Sequence, residues 1–364
     1  MARLLVTGGA GFISANFVHH WAERHPGDRL VVLDALTYAG NLANLDGLEG
    51  RADYRFVEGD IVDQAGVEAL LREEALDTIV HFAAETHVDR SIHGSGDFIS
   101  TNLRGTHSLL EAARIVWLAG DGVSHRFHHV STDEVYGSLA EDDPPFTEHT
   151  PYSPNSPYAA SKAGSDHLVR AWHQTYGLET TITNCSNNYG PYQYPEKLIP
   201  LTIINLLHGR TLPIYGDGRQ IRDWMHVSDH CRGIEQALEQ GTAGGVYNIG
   251  GGQEHRNIDL VRGLCRVVDQ LFEQHPGLAE KYPDAPPAKG DASDSLIRFV
   301  TDRPGHDRRY AIDFSHAASE IGYAPSVALE DGLRQTLDWY LAGRDWWLPL
   351  LGEDFRGWIE RQYG

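Results

Sequence analysis

Residues 1–34 constrain the fold more than any other stretch. Leu4-Leu-Val-Thr7 is a short apolar run, Gly8-Gly-Ala-Gly11 follows at once, and Ile13, Phe17, Val18 and Trp21 then form a helical face ending at Pro26-Gly27. A buried strand, a glycine turn and a helix in that order leave a helix N-terminus free to meet an anion. Leu30-Val-Val-Leu33 reads as a second buried strand and ends in Asp34, 26 positions after Gly8. A lone glycine run would be no more than a tight turn. With an acidic residue at that distance it predicts a dinucleotide site, in which Gly8 and Gly11 approach the pyrophosphate and Asp34 accepts from both ribose hydroxyls. No arginine follows in Ala35-Leu-Thr-Tyr38 to pair with a 2′-phosphate, so NAD is expected rather than NADP.

The same alternation continues. Arg55-Phe-Val-Glu-Gly-Asp60 is a third strand, with Asp60 suited to an adenine amino group, and Val67, Leu70 and Leu71 mark a covering helix. Thr78-Ile-Val-His-Phe-Ala-Ala84 is a fourth strand, whose small Ala83 and Ala84 let a cofactor lie against the backbone. A long helix is expected from Phe98 to Trp117, then a fifth strand, Arg126-Phe-His-His-Val130. Strands alternating with helices predict an α/β chain built on a doubly wound parallel (Rossmann) sheet, with ligands beyond the carboxyl ends of its strands. Residues 1–185 form this domain. Residues 186–364, where the alternation breaks, form a smaller mixed α/β substrate domain, with a return segment near 220–250. Asn257 is expected to cap a helix through Leu264, and residues 275–294, rich in Pro, Ala and Asp, read as an exposed insertion.

Two segments carry chemistry. Val130-Ser-Thr-Asp-Glu-Val-Tyr-Gly137 puts the Thr132 hydroxyl and the adjacent carboxylates of Asp133 and Glu134 at the end of the fifth strand. In Ser156-Pro-Tyr-Ala-Ala-Ser-Lys162, Ser156 is a good N-cap and Pro157 a good first helical residue, so a helix runs from Tyr158 to Gly177. Tyr158 and Lys162 then share one helical face. A phenol is a poor base near its usual pKa of about 10, and a nearby ammonium favours the phenolate. A Tyr-x-x-x-Lys pair on its own is most simply a solvated helix face. Beside a dinucleotide frame it predicts proton abstraction from a hydroxyl whose carbon gives up hydride. Hydride transfer with a tyrosine base needs no carboxylate pair. Asp133 and Glu134, one as acid and one as base, point to loss of water next to a carbonyl.

These residues resemble the extended short-chain dehydrogenase/reductase superfamily and, within it, the dTDP-glucose 4,6-dehydratase family. The glycine turn, Phe82 to Ile92, Ser131 to Gly137, Ser156 to Lys162, Cys185 to Pro191, Glu196 to Pro200, Gln220 to Trp224 and Asp302 to Asp307 are similar to its blocks, in order. The resemblance implies an NAD-dependent hydro-lyase acting on dTDP-glucose. Tyr158 and Lys162 would serve oxidation at C4 with Thr132 holding that oxygen, Glu134 would take the C5 proton, and Asp133 would protonate the departing C6 hydroxyl. By the same resemblance Phe12, Ile13, Asp34, Thr37, Asp60, Ile61, Ala83, Ala84, Thr101, Tyr158, Lys162 and Asn187 line NAD. Thr86, His87, Thr132, Asn187, Lys197, Leu198, Pro213, Tyr215, Arg222, Asn257 and His306 hold the nucleotide sugar, and two subunits pair through the helices near 98–117 and 158–176. Ser14 departs from the pattern, standing where the third glycine of the turn is usual. The alternatives are a 4-epimerase or decarboxylase of the same superfamily, against which the Asp-Glu pair argues, and a non-catalytic dinucleotide sensor, against which the intact Tyr/Lys pair argues.

Composition bounds the partners. A net charge of −21 argues against nucleic-acid or anionic-membrane binding, while still allowing a local cationic clamp such as Lys197 and Arg222. The scattered Cys185, Cys231 and Cys265 lack the spacing of a zinc site or disulfide framework. The chain starts in an apolar strand and has no long apolar run. A cytoplasmic protein without a metal is therefore expected, and the resemblance implies a homodimer.

Overall fold

In the computed structural model residues 1–120 and 123–363 are described; Gly364, the end of the second expected domain, lies outside them. The strands β1 (Arg3–Thr7), β2 (Arg29–Asp34), β3 (Tyr54–Glu58), β4 (Thr78–His81), β5 (Arg126–Thr132) and β6 (Thr180–Cys185) follow the expected alternation. The short β7 (Asn187–Tyr189), β8 (Leu212–Tyr215) and β9 (Ile221–His226) precede β10 (Gly245–Ile249), which returns to pair with β6. β11 (Glu254–Arg256) and β12 (Ile297–Val300) follow. The central sheet has the order β3-β2-β1-β4-β5-β6-β10 and is parallel throughout.

The reason lies in period and burial. Along β1, Leu4 and Val6 pack on one face with Phe17, Val18, Trp21 and Ile234, from the helices Phe12–Arg24 and Val227–Gln240. Leu5, between them, packs on the opposite face with Val67, Leu109 and Val169, from the helices Gln64–Glu73, Thr106–Trp117 and Pro157–Tyr176. Strands covered on both faces read as continuous apolar runs, the pattern seen in the sequence. A second core, built on Ile203, Trp224, Leu264, Leu337 and Trp347, joins the helices Leu198–Leu207, Asn257–Gln274 and Leu329–Ala342 to the small sheets β11-β9-β7 and β12-β8.

The helix that carries Tyr158 begins and ends as its sequence predicts. Ser156 Oγ accepts from the Ala159 N–H at 3.0 Å, Pro157 occupies the first turn, and Gly177 closes the helix at φ +74°. Three expectations need correction. Asn257 is not a cap: it is the first residue of its helix, Arg256 holds the cap position, and the buried Asn257 Oδ1 has no partner. The helix expected at 98–117 is not uniform, because Ile99–Gly105 winds as wider π turns. There Asn102 is turned to exchange hydrogen bonds with the Glu85 backbone (2.9 and 3.0 Å) and to donate to Ser161 Oγ (2.8 Å), pinning the loop after β4. Residues 275–294 are exposed for most of their length, yet Tyr282 and Ala285 bury in the second core and tie the segment down.

Candidate active site

A cavity of about 330 Å³ opens at the carboxyl ends of the parallel strands, and every residue expected to hold the dinucleotide lines it. Gly8 sits at φ +68°, and a Cβ there would stand 2.6 Å from Ala83 Cα, so a glycine is required for sheet and turn to close together. Gly11 opens the helix Phe12–Arg24 with no side-chain cap, leaving first-turn N–H groups available to a pyrophosphate. Ser14 turns the missing third glycine to use: its hydroxyl donates to the Gly8 carbonyl and ties turn to helix. At the end of β2 the Asp34 carboxylate is fixed by N–H groups of Ala10 (2.9 Å) and Leu36 (2.7 Å). Burial pushes its pKa up and these two donors pull it down. A bare helix N-terminus, a cradle that a Cβ would fill and a fixed carboxylate without a neighbouring arginine fit NAD. Gly8→Ala is therefore expected to lose most bound NAD and to melt at lower temperature, with strain of about 1–3 kcal/mol; absorbance of the purified protein and a thermal melt measure both.

The reacting end of the cavity is set by the turn after β5. Thr132 Oγ1 accepts from the Glu134 N–H at 3.3 Å and caps the single turn Asp133–Tyr136. Val135 and Tyr136 anchor that turn in the core, and Tyr136 Oη donates to Asn248 Oδ1 at 2.9 Å. Gly137 releases the chain at φ +95°, where a Cβ would lie 2.4 Å from the Ser153 carbonyl oxygen. The anchoring leaves Thr132, Asp133 and Glu134 on the wall of the cavity that Tyr158 and Lys162 also line.

Their charges are unequal. Asp133 is 2% exposed, its Oδ2 has no hydrogen-bond partner, and burial, then Glu134 and Asp223, push its carboxyl well above the usual range. Burial also raises Glu134, but Arg303, Arg222 and Lys197 all oppose the rise. Asp133 is thus the group kept protonated, and Glu134 the one with cationic support for ionising. Burial and Glu134 hold the Tyr158 phenol well above its ordinary value, opposed by a hydrogen bond with Thr132. Lys162 Nζ donates to the Val130 carbonyl at 2.9 Å and lies 3.4 Å from His129 Nε2.

Of the residues expected at the sugar nucleotide, Thr86, Thr132, Asn187 and Lys197 line this cavity; His87, Leu198, Pro213, Tyr215, Arg222, Asn257 and His306 lie outside its wall. The buried Asn187 Oδ1 has no partner in the protein. Arg222 stacks over the Tyr310 ring at 4.2 Å and donates to the Ile221 and Asp307 carbonyls, so its guanidinium is already engaged. Tyr215 and His306 meet at 5.9 Å on a neighbouring rim, where Tyr215 donates to Asp89 at 3.2 Å and Gln362 to Tyr215 at 2.5 Å. The helix Glu353–Tyr363 supplies that last contact and was not foreseen. Two ion pairs were also missed: Arg303 with Asp89 at 3.0 Å, and Arg90 with the buried Glu196 at 2.9 Å. Nothing local in the sequence signals either. His226 caps the helix Val227–Gln240, its side chain accepting from the Ser228 N–H.

The family model described as GDP-mannose 4,6 dehydratase matches residues 5–336. The dTDP-glucose 4,6-dehydratase of Xanthomonas campestris pv. campestris (strain B100) is 54% identical over 359 residues, 98% of each chain. That of Neisseria meningitidis serogroup B is 49% identical, again over 98% of each chain. Among solved structures, the dTDP-glucose 4,6-dehydratase DesIV of Streptomyces venezuelae, with NAD bound, superposes with a TM-score of 0.83 at 49% identity, covering 96% of this chain and 99% of that one. The UDP-glucose 4-epimerase of Thermotoga maritima superposes at 0.80 but is only 26% identical, over 94% and 99% of the two chains. The chain belongs to the dTDP-glucose 4,6-dehydratase family, within the extended short-chain dehydrogenases/reductases.

Proposed function

We infer that the protein is an NAD-dependent hydro-lyase that converts dTDP-glucose to dTDP-4-keto-6-deoxyglucose. The observation that carries this reading is the unequal carboxylate pair Asp133 and Glu134 in one cavity with Tyr158. Thr132 holds the C4 hydroxyl and Tyr158, supported by Lys162, takes its proton. Bound NAD⁺ supplies the hydride acceptor at C4 and, once reduced, the donor at C6. The resulting 4-keto group acidifies C5–H. Glu134 removes that proton, Asp133 gives its own to the C6 hydroxyl, and water leaves. Glu134 then returns a proton to C5. Because the hydride goes out and comes back within one turnover, the cofactor stays bound.

The dinucleotide is held mainly by the residues up to 185. The sugar nucleotide is held mainly by the later segment, with Lys197 on the cavity wall offsetting its diphosphate in an otherwise acidic protein. Two copies pair through the helices near 98–117 and 158–176, a reading supported by the exposed Ile99 and Tyr176. The three cysteines are buried and free, which supports a cytoplasmic setting. No helix of the described residues is long and apolar enough to cross a membrane.

With dTDP-glucose deuterated at C4, the expected product is the 4-keto-6-deoxy sugar with deuterium in its C6 methyl, read by mass spectrometry and NMR. A C4 epimer that retains O6 would replace this reading with the epimerase one.

A further inference from the structure

Tyr158 and Lys162 are the first two members of a longer stripe. Asp166 lies one further turn along the buried face of the helix Pro157–Tyr176, so that base, cation and anion stand at i, i+4 and i+8. Asp166 is 2% exposed and does not line the reaction cavity. Its Oδ2 accepts from Ser131 Oγ (2.9 Å), Tyr152 Oη (2.9 Å) and Asn184 Nδ2 (3.4 Å). Burial raises the Asp166 pKa, and Lys162 with the three donors converging on Oδ2 opposes that rise in favour of the ionised carboxylate.

Between Asp166 and Lys162 stands His129, which is fully buried. Its Nε2 lies 3.2 Å from Asp166 Oδ1 and 3.4 Å from Lys162 Nζ, with Ser165 Oγ at 3.3 Å. Burial and Lys162 push this imidazole well below its ordinary value, so it is a neutral spacer. Lys162 therefore touches only neutral groups, His129 and the Val130 carbonyl, although it is 4% exposed. An ammonium so placed loses its proton unless an anion is near. The other carboxylates of the site, Asp133 and Glu134, face Tyr158 and raise its pKa, which works against the phenolate.

We propose that Asp166 is the counter-charge of the buried catalytic lysine, a positioning residue that acts across His129 to keep Lys162 an ammonium beside Tyr158. The placement divides the labour among the carboxylates. Asp133 and Glu134 meet the substrate, while Asp166, walled off from it, serves the cation alone. The other titratable groups around the pair are His81 from β4, Cys185 at the end of β6, and Tyr136 and Tyr152 beside Asp166.

The inference rests on Tyr158 acting as base in the dehydration proposed above, and the test keeps the two separable. Turnover of dTDP-glucose by the unaltered protein, with activity rising through an acidic limb, examines the reaction itself. Asp166→Asn keeps the shape and removes the charge. Its acidic limb of kcat is expected about one pH unit higher, with kcat at neutral pH roughly tenfold lower and with KM and bound NAD unchanged. A fall of equal size at every pH, with the limb unmoved, would mean a structural role and overturn the proposal. Should Asp166→Asn not fold, Tyr152→Phe keeps the carboxyl but removes one of the donors that favour its ionised form. It is expected to move the limb the same way by less, and an unmoved limb in that variant also overturns the proposal.

Discussion

Asp133→Asn is expected to stop the release of water while leaving the first half of the reaction intact. The side chain sits at the end of β5 with one oxygen unpartnered, and burial beside Glu134 keeps it protonated. An acid of that kind helps only when a leaving group needs a proton, and C4 oxidation needs none from it. Asparagine preserves volume and polarity but cannot give up a proton, so product formation is expected to fall about 10²–10⁴-fold, the usual span for a positioned general acid. Mixing the variant with dTDP-glucose should still produce the absorbance of reduced nicotinamide in a single turnover, and that absorbance should persist. Normal dehydration by Asp133→Asn would show that the proton comes from another group, with Glu134 the first to examine.

Tyr158→Phe is expected to fail one step earlier. The phenylalanine fills the same buried space, so the fold and the cofactor should survive; the melting temperature and the bound NAD check this. Without the hydroxyl the base assigned to the C4 oxygen is gone, and Glu134, the other base on this wall, is assigned to C5. Turnover should drop by about 10³-fold, within the range of a lost general base, and no reduced nicotinamide should accumulate. The two variants thus differ in which intermediate builds up. If Tyr158→Phe also accumulated reduced nicotinamide, the oxidation would be using another base and the role given to Tyr158 would fall.

Much of this site was legible because its signals are local. The strand at Leu4–Thr7, the glycine turn and Asp34 span few residues, and backbone conformation alone ties them together: Gly8 must be glycine at φ +68° whatever surrounds it. Ser156, Pro157 and Gly177 set the ends of one helix by capping and turn chemistry, which placed Tyr158 and Lys162 on one face before any tertiary contact was known. The misses have equally definite causes. Asn257 looked like a cap because asparagine favours that position, but the backbone turns one residue earlier, at Arg256. The 275–294 segment looked exposed by composition, and its buried anchors, Tyr282, Ala285, Pro286 and Ser293, are too few to leave a period.

By itself, then, the sequence determined the parallel sheet and its cofactor edge and singled out the candidate reacting groups, because each is written in spacings of a few residues. Only the tertiary structure decided how those groups are charged. Arg303 reaches Asp89 across 214 positions of sequence and, with Arg222 and Lys197, opposes the rise at Glu134, whereas at Asp133 the carboxylates Glu134 and Asp223 outweigh Arg222. Asp166 stands a helical turn from Lys162, but it is the packing of β5 that buries the pair and sets His129 between them. Desolvation and long-range charge come from what is packed around a residue rather than from its chain neighbours, and only folding brings them together.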